Sequence, residues 1–126
     1  MSETRRQVTT LIRSYIAALE ARGIPVERVI LFGSHAGGRP QEWSDIDIAV
    51  ISPKFDALLL LERYEQLGLA NRKLQAPLDV VGFSPSQETH CEPGSFLAEI
   101  LRTGVTIPLR QRGSIVSQRK GQDRAR

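Results

Sequence analysis

The chain has one cysteine, one tryptophan, one methionine and two histidines among 126 residues, and only 6% of it is aromatic. The single thiol, Cys91, cannot close an internal disulfide, so nothing calls for an oxidising compartment. His35, His90 and Cys91 show no helix or knuckle spacing, which argues against a zinc site. No apolar run nears the roughly 20 residues that a membrane span needs; the longest leucine run is Leu58 to Leu61. The opening MSETRRQVTT has no apolar stretch behind its arginines and does not read as a secretory signal. A cytoplasmic location, away from membranes, is the expectation. The phosphate-binding G-x-x-x-x-G-K-[ST] loop and the dinucleotide fingerprint G-x-G-x-x-G are both absent, which excludes two large classes of nucleotide-binding protein.

What is present fits one domain with a modest core. Hydrophobic residues make up 40% and charged residues 25%. The net charge of +3 is unevenly placed: Arg110, Arg112, Arg119, Lys120, Arg124 and Arg126 stand against Asp123 alone, so residues 110–126 carry +5 and residues 1–109 carry −2. The expected organisation is therefore a folded domain over 1–109 and a basic, disordered tail over 110–126. The tail has no aromatic residue to stack on bases, so a nucleic-acid substrate is not expected.

Periodicity predicts a helix over 5–22, with Val8, Leu11, Ile12, Tyr15, Ile16 and Leu19 on one face and Gly23 and Pro25 ending it. Strands are predicted at Arg28–Phe32, Asp45–Ile51 and Leu78–Phe83. A second helix is predicted over 56–74. Its four consecutive leucines wrap around more than one face, so it is either buried on two sides, the preferred reading, or in contact with a partner. Residues 84–94 read as a loop. A short helix over Phe96–Arg102 is expected to turn Phe96, Ile100 and Leu101 inward, and Val105–Leu109 to add a short strand. The fold class is α+β, a small mixed sheet flanked by helices.

The chemistry concentrates in residues 31–50. A strand ends in Gly33-Ser34; ten residues later Asp45-Ile46-Asp47 opens the next strand. Strand side chains alternate, so Asp45 and Asp47 share a face with Cα atoms roughly 6.5–7 Å apart. Two carboxylates so placed suit a hard cation such as magnesium, which prefers oxygen ligands. A two-ion site needs a third acid, and Asp79 supplies one from within an otherwise apolar strand, a costly position for an acid that is neither paired nor bound to metal. Gly33 allows a tight turn and close approach to a ligand, while backbone N–H groups and the Ser34 hydroxyl suit phosphate oxygens. Trp43 is read as a loop anchor in preference to a base-stacking residue.

In order and spacing this pattern resembles the nucleotidyltransferase superfamily that includes DNA polymerase beta, and in its short length and LFGS…SDIDIAV form the minimal nucleotidyltransferase subfamily. The resemblance implies a polymerase beta-like nucleotidyltransferase fold. It implies two magnesium ions on Asp45, Asp47 and Asp79, nucleotide phosphates on Gly33 and Ser34, and transfer of a nucleoside monophosphate, AMP from ATP, to an acceptor hydroxyl. Several minimal members are antitoxins that adenylylate a tyrosine of a HEPN ribonuclease toxin, so a HEPN partner and an antitoxin role are implied here. Many members carry a loop of the form G-S-x-A-R-G, where this chain has Gly37 in place of the arginine; Arg39, further along the loop, is the candidate replacement. Two other readings stand beside this one: a non-catalytic antitoxin that occludes its partner, and a small-molecule transferase of the aminoglycoside type. The chain has no room for template-holding domains, nor for an acceptor-binding helical domain, so a partner or a second subunit would complete the acceptor site.

Overall fold

A computed structural model describes residues 3–37 and 45–109. Arg39, Trp43 and the basic tail over 110–126 lie outside the described residues. Helix α1 spans Glu3–Ala21, strand β1 Arg28–Phe32, β2 Ile46–Ile51, helix α2 Leu60–Ala70, β3 Leu78–Phe83, α3 Pro85–Thr89, α4 Phe96–Thr103 and β4 Val105–Thr106. The four strands form one mixed sheet in the order β3-β2-β1-β4: β2 runs antiparallel to β1 and parallel to β3, and β4 is antiparallel to β1.

Helix α1 buries Val8, Ile12, Tyr15, Ile16 and Leu19, the stripe its periodicity predicts. It ends in a reciprocal cap: Ile24 N–H donates to Leu19 O and Gly23 N–H to Glu20 O, with Gly23 in the left-handed region at φ +86°. One sheet face, built from Val29, Leu31, Ile46, Ile48 and Val50, packs with this stripe and with Phe55 and Leu67 into the main core. The Tyr15 hydroxyl donates to Leu67 O at 2.7 Å, tying α1 to α2, and burial pushes its phenol pKa up. The opposite face carries a smaller cluster of Ile30, Ala49 and Ile100, flanked by Phe32, Val81, Phe83 and Leu101.

The structure corrects several expectations. The helix predicted over 56–74 is shorter. Pro53 opens a tight 3-10 turn over Pro53–Ala57, Leu58 and Leu59 are extended, and α2 begins only at Leu60. Glu62 accepts a hydrogen bond from Leu59 N–H at 2.9 Å and sets that start. Asn71 bonds to both the N–H and the C=O of Ala76 and closes the turn into β3. The leucine run is not buried on two sides, since Leu59, Leu60 and Leu61 are 72%, 64% and 83% exposed. The inward face of α2 instead carries Arg63, Leu67 and Ala70.

The second correction is α3, where a loop was expected. Ser84 caps it by accepting from Gln87 N–H, Gln87 Oε1 returns the bond to Ser84 N–H, and Pro85 occupies the first turn. The third concerns α4. Its buried residues are Leu97 and Ile100; Leu101 is half-buried and Phe96 points outward. Ser95 accepts from Ala98 N–H, which places Phe96 in the first turn and rotates it off the buried stripe. The strand expected over 105–109 shortens to Val105–Thr106. Ile107 N–H still bonds to Val29 O before Pro108, which has no N–H to give.

Candidate functional site

Register brings the candidate acids together. Phe32, the last residue of β1, pairs with Asp47 on β2, and Asp47 pairs with Asp79 on β3. Because β2 and β3 are parallel, both acids lie near the starts of their strands, at one end of the sheet. Asp45 stands one residue ahead of β2. Ile46 and Ile48 enter the main core, so Asp47 faces the other way, on the side of Phe32 and Ala49. Asp45 and Asp79 are exposed and Asp47 is half-buried.

The charges oppose one another. The Asp47 pKa is raised above its ordinary value, first by burial, then by the Asp79 charge and a hydrogen bond with the Asp79 carboxyl, then by Asp45. His35 acts in the opposite direction. Like charges so arranged favour a proton or a cation between them. The three acids offer carboxylate oxygens, which fits magnesium and does not suit a soft metal. Among the described residues, no three His, Cys, Asp or Glu side chains stand close enough together to hold a metal ion as they are placed.

Gly33 sits directly against Asp47. Its φ is +76°, a region that side chains rarely adopt, and a Cβ on it would run into the Asp47 carboxylate. Gly33–His35 forms a single 3-10 turn closed by Ala36 N–H and Gly37 N–H onto Gly33 O at 3.1 and 3.2 Å. The N–H groups of Gly33 and Ser34 have no partner within such a turn. Asp45, Asp47, Asp79, Gly33 and Ser34 thus meet at one sheet end; Arg39 lies outside the described residues.

Sequence reasoning missed two neighbours of this group. Phe32 shares a face with Asp47, and its ring meets that of Phe96 edge to face, with centroids 5.7 Å apart and planes at 80°. Ser95 ahead of Phe96 was the available signal, because a capping serine fixes which residues of a short helix can turn inward. His35, set aside as a poor zinc ligand, proves to be an electrostatic neighbour of Asp47.

Residues 12–104 match the family model described as nucleotidyltransferase domain, and the chain belongs to that family. Among solved structures, a candidate nucleotidyltransferase from Sulfolobus solfataricus shares the fold, with a TM-score of 0.63, 18% identity and 90% of each chain covered. A chain from the crystal structure of a toxin-antitoxin with AMP-PNP aligns with a TM-score of 0.52 and 26% identity, covering 79% of this chain and 74% of its own. No curated protein matches.

Proposed function

We propose that the protein is a metal-dependent nucleotidyltransferase of the minimal subfamily, moving AMP from ATP to a tyrosine hydroxyl of a HEPN-type partner and thereby acting as an antitoxin. The observation that carries this reading is the convergence of Asp47 and Asp79 across two paired strands, beside Gly33 and with Asp45 at the mouth. Asp45, Asp47 and Asp79 would hold magnesium, two ions in this reading, which when bound supplies charge neutralisation and a template for in-line displacement at phosphorus. Gly33 N–H and the Ser34 hydroxyl hold the β- and γ-phosphates. Asp79 takes the proton of the acceptor hydroxyl. The acceptor oxygen forms a bond to the α-phosphorus, and the bond from that phosphorus to the pyrophosphate oxygen breaks. Membership of the nucleotidyltransferase family and the likeness to a toxin-antitoxin structure with AMP-PNP support the reading.

A second reading rests on the three exposed leucines. In it the protein neutralises its partner by covering it, and the acids are not used. One experiment separates the two. The chain is incubated with ATP, magnesium and a cell lysate or a candidate partner, and mass spectrometry seeks a nucleoside monophosphate adduct. Transfer predicts an adduct with wild type and none with Asp45→Asn/Asp47→Asn. Occlusion predicts no adduct, and a double variant that still neutralises.

A further inference from the structure

Among the described residues at the acid end of the sheet, Phe96 is a large apolar side chain left mostly in solvent. It is 57% exposed, whereas Leu97 and Ile100 bury the inner face of the same helix. Exposure alone would mean little for a phenyl group. Its position is what matters. Phe96 rests edge to face on Phe32, which keeps it from swinging freely, and Phe32 stands directly across from Asp47 and next in sequence to Gly33. Paired residues on one sheet face have Cβ atoms about 4.5–5.5 Å apart. Through Phe32, the exposed ring therefore borders the sheet face that carries Asp47.

We infer that Phe96, braced by Phe32, is the stacking platform for the base of the nucleotide whose phosphates lie at Gly33 and Ser34. This rests on the function proposed above. Two features favour the nucleotide's own base over an aromatic group of the acceptor. The base is tethered to the phosphates and so is delivered to any flat ring close to Gly33. The brace is hydrophobic: Phe32 belongs to the cluster of Ile30, Ala49 and Ile100, so the platform offers a π face without hydrogen-bonding groups of its own. Such a surface takes any base, because every base has a π face. Discrimination among the four bases at Phe96 is therefore expected to be weak.

Binding distinguishes this from the alternatives. Isothermal titration with AMP-PNP and with inorganic tripolyphosphate, both in magnesium, is carried out on wild type, Phe96→Ala and Phe96→Trp. By the usual effect of alanine substitution at a base-stacking ring, Phe96→Ala is expected to weaken AMP-PNP binding roughly five-fold to a hundred-fold. Tripolyphosphate binding should not change, and Phe96→Trp should restore AMP-PNP affinity. Equal AMP-PNP affinity in wild type and Phe96→Ala would overturn the platform, and a simultaneous fall in transfer to the acceptor would reassign the ring to the acceptor side. Equal weakening of both ligands would overturn it as well, pointing to a distorted site. Failure of wild type to bind either ligand would instead defeat the nucleotidyltransferase reading on which the platform rests.

Discussion

The two ends of the β2–β3 pair treat their polar groups in opposite ways. At the far end, Arg63 is 7% exposed and both its terminal nitrogens are engaged, leaving only Nε without a partner: the guanidinium donates to Gly82 O, Phe55 O and Gln87 Oε1 at 2.9–3.0 Å and lies 5.1 Å from the centre of the Phe55 ring. Ser52 and Ser84 are buried and accept from Lys54 N–H and Gln87 N–H, and Arg28 pairs with Glu88. At the near end, Asp47 faces Asp79 and Asp45 with charges of the same sign, offset only in part by His35. Buried polar groups that find complementary partners hold a fold together. Polar groups that converge without them cost stability, and such a cost is common where a protein acts on a ligand. One end of the same two strands thus resolves its polar groups within the fold, and the other leaves like charges facing one another.

The largest expected effect strikes the near end. Asp45→Asn/Asp47→Asn should lower nucleotidyl transfer by roughly a thousand-fold or more, since several kcal/mol of charge stabilisation at phosphorus is lost. Circular dichroism should report an intact fold. Gly33→Ala comes next. A side chain there meets Asp47 and must adopt a positive φ, so about 1–3 kcal/mol of stability should go together with most of the transfer. Survival of normal transfer in that variant would mean that the close approach of Gly33 to Asp47 has no role.

The far end should answer in stability. Arg63→Ala strips partners from two backbone carbonyls and from Gln87, and should cost about 3 kcal/mol, read as a lower urea midpoint. A midpoint near wild type would erase the contrast between the two ends.

A smaller effect should appear in the pH dependence. The folded pKa of Asp47 is raised, so between its unfolded and folded values the folded state binds more protons than the unfolded one. Its favourable contribution is complete below the ordinary carboxylate range and is lost as pH rises through the folded pKa. Asp47→Asn should therefore gain stability relative to wild type as pH increases over that window, in the absence of metal. Magnesium should close the gap by stabilising wild type alone. The smallest effect is expected at the surface: Leu61→Ser should change stability by no more than about 0.5 kcal/mol, as the leucine is almost bare.

Much of this was legible in the sequence wherever one physical pattern dominated. The stripe of α1, the three long strands and the acid spacing follow from periodicity and alternation, and the register of β2 with β3 brings Asp47 and Asp79 opposite each other as a shared site requires. Capping was underread. Ser84-Pro85-Ser86-Gln87 is a helix start, and Ser95 sets the rotation of α4 that turns Phe96 outward. Arg63 could not be foreseen, because its burial depends on carbonyls from two other segments, the turn at Phe55 and strand β3 at Gly82. Composition misled at Leu58–Leu61: leucines suggested burial, while Pro53 and Glu62 start the helix where three of them face solvent.

The most direct test of the central claim is the fate of two labels. The chain is given magnesium, an acceptor-containing lysate and ATP labelled either at the α- or at the γ-phosphate, with wild type and Asp45→Asn/Asp47→Asn in parallel. Nucleotidyl transfer predicts that α-label becomes protein-bound with wild type alone and that γ-label leaves as pyrophosphate. Protein-bound γ-label, or no transfer of α-label from any of the four nucleoside triphosphates by correctly folded wild type, would contradict the account.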